Sequence, residues 1–210
     1  MPLRIAKAEE KLKSLWRKLD DFERMLRISG VLEICRRYFV MNMFDGALAA
    51  LGVIVGMWIS GIADSRAVIR TVLSAGLAMF ISGALGAYLT EKAEREKKLR
   101  ELEEATFQDI KGSIYERSSR LAVLAVSVVD GISPLIACAI LIIPFAVSHA
   151  LVVDFATAAL ASLFVGTAML SALGYFLSRI AGKKPLEYIA FMVLAGIASA
   201  IVIVLLGAQI

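Results

Sequence analysis

Asp45 and Asp130 are the residues whose chemistry is hardest to reconcile with their surroundings. The first opens the run "FDGALAALGVIVG" at 44–56, and the second stands in "VDGISPLIACAILIIPF" at 129–145. An ionisable group inside a membrane span costs about 3 kcal/mol on insertion scales, so it is expected to face a cavity, a partner or an ion path. A carboxylate binds either a divalent cation or a proton, so one Asp can exchange one for the other. Asp45 lies seven residues beyond Tyr38, about 10 Å along a helix. That depth is within reach of water from the near side. Asp45 is expected to be functional in this sense; the structural alternative is that it accepts a hydrogen bond from Asn42 or from a neighbour's Ser. For Asp130 the two roles stand level. Pro134 removes a backbone bond near it and is expected to bend or break the helix, which would free polar backbone groups beside the carboxylate.

A second carboxylate group falls in the charged stretch 90–120, where Glu91/Glu94 and Glu101/Glu104 are i,i+3 pairs. They can gather cations, or they can be a solvated stalk whose acids are neutralised by Lys and Arg. Cys35 and Cys138 have no paired spacing and are expected to be small hydrophobes. No nucleophile elbow, phosphate-binding glycine loop, HExxH or CxxC is present, so no enzyme and no cofactor are expected.

The elements that must position these residues follow from hydropathy. The chain is 59% hydrophobic, with a mean hydropathy of +0.77. The apolar residues fall in five blocks of spanning length: Tyr38–Ser60, Ala67–Leu89, Leu121–Ser148, Val152–Ser178 and Leu186–Ala208. The expectation is an all-α integral membrane protein with five transmembrane helices. Residues 1–37 are read as an amphipathic cytoplasmic or interfacial helix over Leu3–Ser29, ended by Gly30. Residues 38–89 hold the first two spans, 90–120 a charged cytoplasmic helical segment with its break at Gly112, and 121–208 the last three spans. Glu91/Arg95, Glu94/Lys98 and Glu96/Arg100 are i,i+4 pairs that support the charged helix. No cleavable signal peptide is read at the N-terminus.

Charge sets the orientation. Of the 23 Lys and Arg, 21 fall on one side of a five-span arrangement, leaving only Arg66 and Arg70 on the other. The positive-inside rule then places the N-terminus in the cytoplasm and the C-terminus outside, with His149 in a short outer loop. A prokaryotic cell membrane is the expected location. The net charge of +4 is accounted for by anionic lipid headgroups, and no nucleic-acid partner is expected.

An internal repeat is visible. Phe44-Asp45-Gly46 recurs as Val129-Asp130-Gly131, and "GALGAYL" at 83–89 recurs as "SALGYFL" at 171–177. This suggests a parallel two-helix repeat, with the fifth span outside it. Asp45, Ala49, Gly52, Gly56 and Ser60 share one helical face, and Gly76, Met79, Gly83, Gly86 and Thr90 share another. The first face contains a GxxxG. The expectation is a homodimer packed through Ala49, Gly52 and Gly56 of one copy against Gly76 and Gly83 of the other.

These residues resemble the vacuolar iron transporter family of divalent-metal/proton antiporters, over about Asn42 to Leu206. "FDGALAALGVIVG" is similar to that family's first span, which opens on Asp-Gly-Leu, and "FISGALGAYLTEKAERE" to its second, with Ser-Met-x-x-Gly-x-Tyr running into an acidic helix. The resemblance implies a divergent prokaryotic member: a homodimer whose first two spans line a central path. Its substrate would be iron(II) or manganese(II), exported from the cytoplasm against protons. Asp45 matches the family's membrane aspartate, and Ser82, Gly86 and Tyr88 match the second-span motif. The family's pore methionine falls at Gly83, and an acidic residue at Ala87. Met79, one turn before Gly83, and Met41 and Met43 beside Asp45 are the available thioethers. Carboxylates alone favour hard ions such as manganese, magnesium or calcium, and thioether improves selection of softer ones. The competing reading is a non-transporting membrane scaffold whose 1–37 and 90–120 helices bind partners.

Overall fold

The computed structural model describes residues 30–151 and 153–207, so the expected helix over Leu3–Ser29 lies outside the described residues. The described residues form helices and connections with no strand. In order they are α1 (Val31–Ile59), α2 (Ser65–Thr106), α3 (Ile114–Leu141), α4 (Ile143–Leu151), α5 (Phe155–Ala181) and α6 (Pro185–Gly207). Taking α3 and α4 together, five helical segments are long and apolar enough to cross a membrane. The chain is therefore read as an integral membrane protein.

The helices outrun the apolar blocks. α1 begins at Val31 and takes in Glu33, Arg36 and Arg37, and α2 runs 42 residues without interruption into the charged stretch. Apolar sequence marks the part of a helix that meets hydrocarbon, whereas helical hydrogen bonds continue wherever propensity allows. Pro134 does not end α3. The interruption comes at Ile142, just before Pro144, which provides no N–H to the Ile140 carbonyl. There the Ser162 hydroxyl of α5 donates to the Leu141 carbonyl. His149, expected in a loop, lies within α4.

Two compact units divide the chain, one through Arg36 with Gly86–Val128, the other Arg37–Leu85 with Val129 onward. In the first, the charged end of α2 carries Glu91–Arg95 at 2.7 Å, Lys92–Glu96 at 3.8 Å and Lys97–Glu101 at 3.9 Å. Of the pairs expected there, Glu91/Arg95 is the one seen. Gly112, at φ 74°, turns the chain into α3. Its N–H donates to Glu116 at 2.6 Å, while the Glu116 N–H donates to Ser113 Oγ at 3.4 Å, a reciprocal helix start.

The second unit holds a core of Val40, Ala47, Ile54, Val72, Cys138, Leu141 and Phe145, with Leu170 from α5. Glycines let its helices approach. A Cβ on Gly46 would meet the Pro134 backbone at 2.6 Å, and one on Gly131 the Phe80 carbonyl at 2.7 Å. On the other side of the unit, a Cβ on Gly174 would meet the Tyr188–Ile189 backbone at 2.7 Å. α5 starts on Asp154, whose carboxylate accepts from the Thr157 N–H, and stops at Gly182, at φ 62°.

Candidate functional site

Both aspartates belong to the second unit, α1 contributing Asp45 and α3 Asp130. Asp130 is 6% exposed. Asn42, one turn before Asp45 on α1, donates its amide to Asp130 Oδ1 and also to the Tyr38 carbonyl at 2.9 Å. Both amide protons are thereby used, leaving the Asn42 carbonyl oxygen as the acceptor of that side chain. On the third side stands α2, where a Cβ on Gly83 would lie 2.8 Å from Asp130 Oδ2. Pro134 adds a further oxygen, because it offers no N–H to the Asp130 carbonyl.

Asp45 is arranged differently. Its side chain is exposed on α1, on the flank that also carries Met41, which is 50% exposed. It stands on the helix that Gly46 and Pro134 bring close to the helix of Asp130. The expected alternative of an Asn42 bond to Asp45 is not the one formed, since Asn42 turns to Asp130. One carboxylate is thus enclosed by three helices, and a second stands open at the edge of the same group.

The remaining expected ligands separate. Met43 points into the core and does not join Asp45, because two residues along a helix turn a side chain to the opposite face. Met79 is half-buried on α2. Glu91 is held by Arg95, whereas Glu94, Glu101 and Glu104 are exposed, Glu101 standing 3.9 Å from a likewise exposed Lys97. Among the described residues no three His, Cys, Asp or Glu come together as a metal-binding group. Cys138 is buried with its Sγ 3.7 Å from the Gly46 carbonyl, and Cys35 is half-buried; both are free thiols.

The small-residue ridges are used within the chain. Gly52 and Gly56 face Ile203 of α6, at 3.1 and 3.8 Å from a built Cβ, and Gly76 faces Cys138 at 3.0 Å. With Gly83 against Asp130, the four glycines expected between two copies all meet their own chain; Ala49 is half-buried beside them. Close approach of helices was legible in this pattern, but which helix approaches was not. Ser82 and Gly86, by contrast, are exposed one turn apart on α2, and nothing lies within 4 Å of a Cβ on Gly86. Asn42 is the residue whose part in the site was not legible in the sequence, which suggested only a bond to Asp45, as an alternative. Its signal was a polar amide one turn from the span's carboxylate.

No family model matches the chain. It is 32% identical over 151 residues to the uncharacterized protein MJ0645 of Methanocaldococcus jannaschii, covering 70% of this chain and 75% of that one. The chain belongs to the family of that archaeal protein. In this chain the structure offers two carboxylates, Asp45 and Asp130, on the neighbouring apolar helices α1 and α3.

Proposed function

We propose that the chain carries divalent metal cations across the membrane in exchange for protons, with Asp45 as the exchanging carboxylate and Asp130 as the enclosed group behind it. The observation that carries this reading is the open Asp45 side chain on an apolar helix. A carboxylate left against hydrocarbon is costly, so it needs a water-filled path or a covering partner. A second copy of the chain seated over the α1 flank of Met41 and Asp45 would enclose it. The open glycine at Gly86 would admit a helix of that copy along α2. The resemblance to vacuolar iron transporters supports the same residue and the same homodimer. Gly83 leaves no thioether beside Asp130, so manganese(II) is the preferred cargo and iron(II) the second. The distribution of Lys and Arg favours an N-terminus inside the cell, and export from the cytoplasm of a prokaryotic cell is what the resemblance implies.

Flux into proteoliposomes tests the proposal. Purified protein should move manganese(II) with accompanying proton counterflow, and Asp45→Asn should lose the flux while keeping its helical content. Absence of metal-dependent flux in the parent would favour the membrane scaffold. Parental flux in a folded Asp45→Asn protein would remove Asp45 from the mechanism.

A further inference from the structure

The other compact unit contains a cavity that the carboxylate pair does not use. It has a volume of about 470 Å³, with Tyr88, Lys92 and Arg95 of α2 facing Ser119, Arg120 and Leu124 of α3. Ligand sites commonly occupy about 300–1,000 Å³. Its residues recur every three or four positions on each helix, so one face of each helix forms a wall. The cavity straddles the level at which both helices change character: Leu89 closes the apolar run of α2, and Leu121 opens that of α3.

We propose that this cavity binds the headgroup of an anionic glycerophospholipid. Tyr88 and Leu124 stand at its apolar end, and Lys92 and Arg120 one turn away toward water. That order matches a lipid's acyl-glycerol region followed by its phosphate. Basic pockets between helices at a membrane surface suit such headgroups, and tyrosine is favoured at that depth.

The cations are placed to accept a phosphate. Lys92 lies 5.9 Å from the centre of the Tyr88 ring, and its pairing with Glu96 is long at 3.8 Å. Both members of that pair are at least half exposed, and such pairs contribute little. Arg120 reaches Glu116 through one terminal nitrogen at 2.5 Å, with its side chain 77% exposed. A guanidinium has five N–H donors, so most remain for a second acceptor. Arg95, fixed by Glu91 at 2.7 Å, lines the floor of the cavity. The lining carries three cations against two acids, Glu96 and Glu116. A soluble phosphate would use only the charged end, whereas a phospholipid uses both. This inference rests on α2 and α3 crossing a membrane and is independent of metal transport.

Native mass spectrometry and thermal unfolding of the full chain in detergent test it, with phosphatidylglycerol and phosphatidylcholine as probes. The parent should retain phosphatidylglycerol about ten-fold or more over phosphatidylcholine and unfold at a higher temperature with it. Lys92→Gln/Arg120→Gln should abolish that preference, and Lys97→Gln/Lys98→Gln, with the same change of charge, should keep it. Ser119→Glu, which leaves all three cations in place but puts a carboxylate in the cavity, should also abolish it. Equal retention of the two lipids by the parent, or an unchanged preference in both cavity variants, would overturn the proposal. So would equal loss in Lys97→Gln/Lys98→Gln. Protection by glycerol 3-phosphate equal to that by phosphatidylglycerol would assign the cavity to a free phosphate instead.

Discussion

Asp45-Gly46 on α1 and Asp130-Gly131 on α3 share a dipeptide, and their glycines behave alike while their aspartates do not. A Cβ on Gly46 would strike the Pro134 backbone of α3 at 2.6 Å, and one on Gly131 the Phe80 carbonyl of α2 at 2.7 Å. Each glycine therefore lies where two helices touch. The aspartate before it projects about 100° around the helix, onto the flank of the contact. For Asp130 that flank is covered by Asn42 and Gly83, whereas Asp45 keeps its flank open. The dipeptide thus determines a close crossing, and the presence of a third helix decides whether its carboxylate is a buried member of a hydrogen-bonded group or a group available to an ion.

The largest effect that would sharpen this contrast is on transport. Asp45→Asn should lower manganese(II) flux on the order of 100-fold or more, beyond the loss of about 10–100-fold typical when only a supporting partner of a ligand is changed. Asp130→Asn should lower it less. Equal losses would mean that the open and enclosed carboxylates act as one unit, and the distinction between them would fall.

The next largest effect is on stability. Gly46→Ala and Gly131→Ala both force backbone against a new methyl group and should cost about 3 kcal/mol each, the upper part of the usual range for overpacking. Thermal unfolding in detergent measures this. An unchanged midpoint in either variant would show that the crossing is looser at that copy of the dipeptide.

Asn42→Ala removes the amide from Asp130 and should destabilise by roughly 1–3 kcal/mol, the range for leaving a buried acceptor unsatisfied. Asp45→Ala, on the open side, should leave the unfolding midpoint nearly in place. The reverse order of these two would contradict the assignment of enclosed and open carboxylates. Within α2, Gly83→Ala should destabilise more than Gly86→Ala. The first would place a methyl group 2.8 Å from Asp130 Oδ2, and the second meets nothing within 4 Å. Because Asp130 Oδ2 ends a side chain that can shift, the cost at Gly83 should stay below that at Gly46.

The smallest effect concerns a third aspartate. Asp154 at the start of α5 accepts from the Thr157 hydroxyl at 2.6 Å and the Thr157 N–H at 3.0 Å. The hydroxyl bond, with the N–H bond second, holds its carboxyl below the ordinary value. The folded state then releases the proton more readily than the unfolded state. Its contribution is present above the ordinary carboxylate pKa of about 3.9 and fades as pH falls through the lowered folded value. Asp154→Ala should slightly lower the unfolding midpoint at neutral pH, with the difference from the parent closing under acid conditions. A gap that persists unchanged in acid would assign the effect to packing instead.

The sequence by itself determined the helical class, the five spanning runs and the residues at which helices can come close. These follow from local chemistry: hydrocarbon demands about 20 apolar residues in a hydrogen-bonded helix, and glycine removes the side chain that keeps helices apart. That α2 runs on into the charged stretch was similarly readable from residues that favour helix without Gly or Pro after Gly86. Its end at Thr106, with Phe107 at φ 52°, comes before the expected break at Gly112. Partner choice was not readable. Gly52, Gly56, Gly76 and Gly83 advertise a close neighbour equally well whether it is a second copy or the same chain, and only the tertiary structure gives Ile203, Cys138 and Asp130 as the atoms they meet. The break at Ile142 in place of Pro134 was likewise a tertiary decision: α3 stays helical through Pro134 where Gly46 packs against it, while Ser162 reaches the Leu141 carbonyl at the interruption. Asn42 turned to Asp130 and away from Asp45 for the same reason. Its neighbour one turn along the helix was fixed by sequence, but a carboxylate 88 positions away was brought to its amide by the packing of α1 on α3.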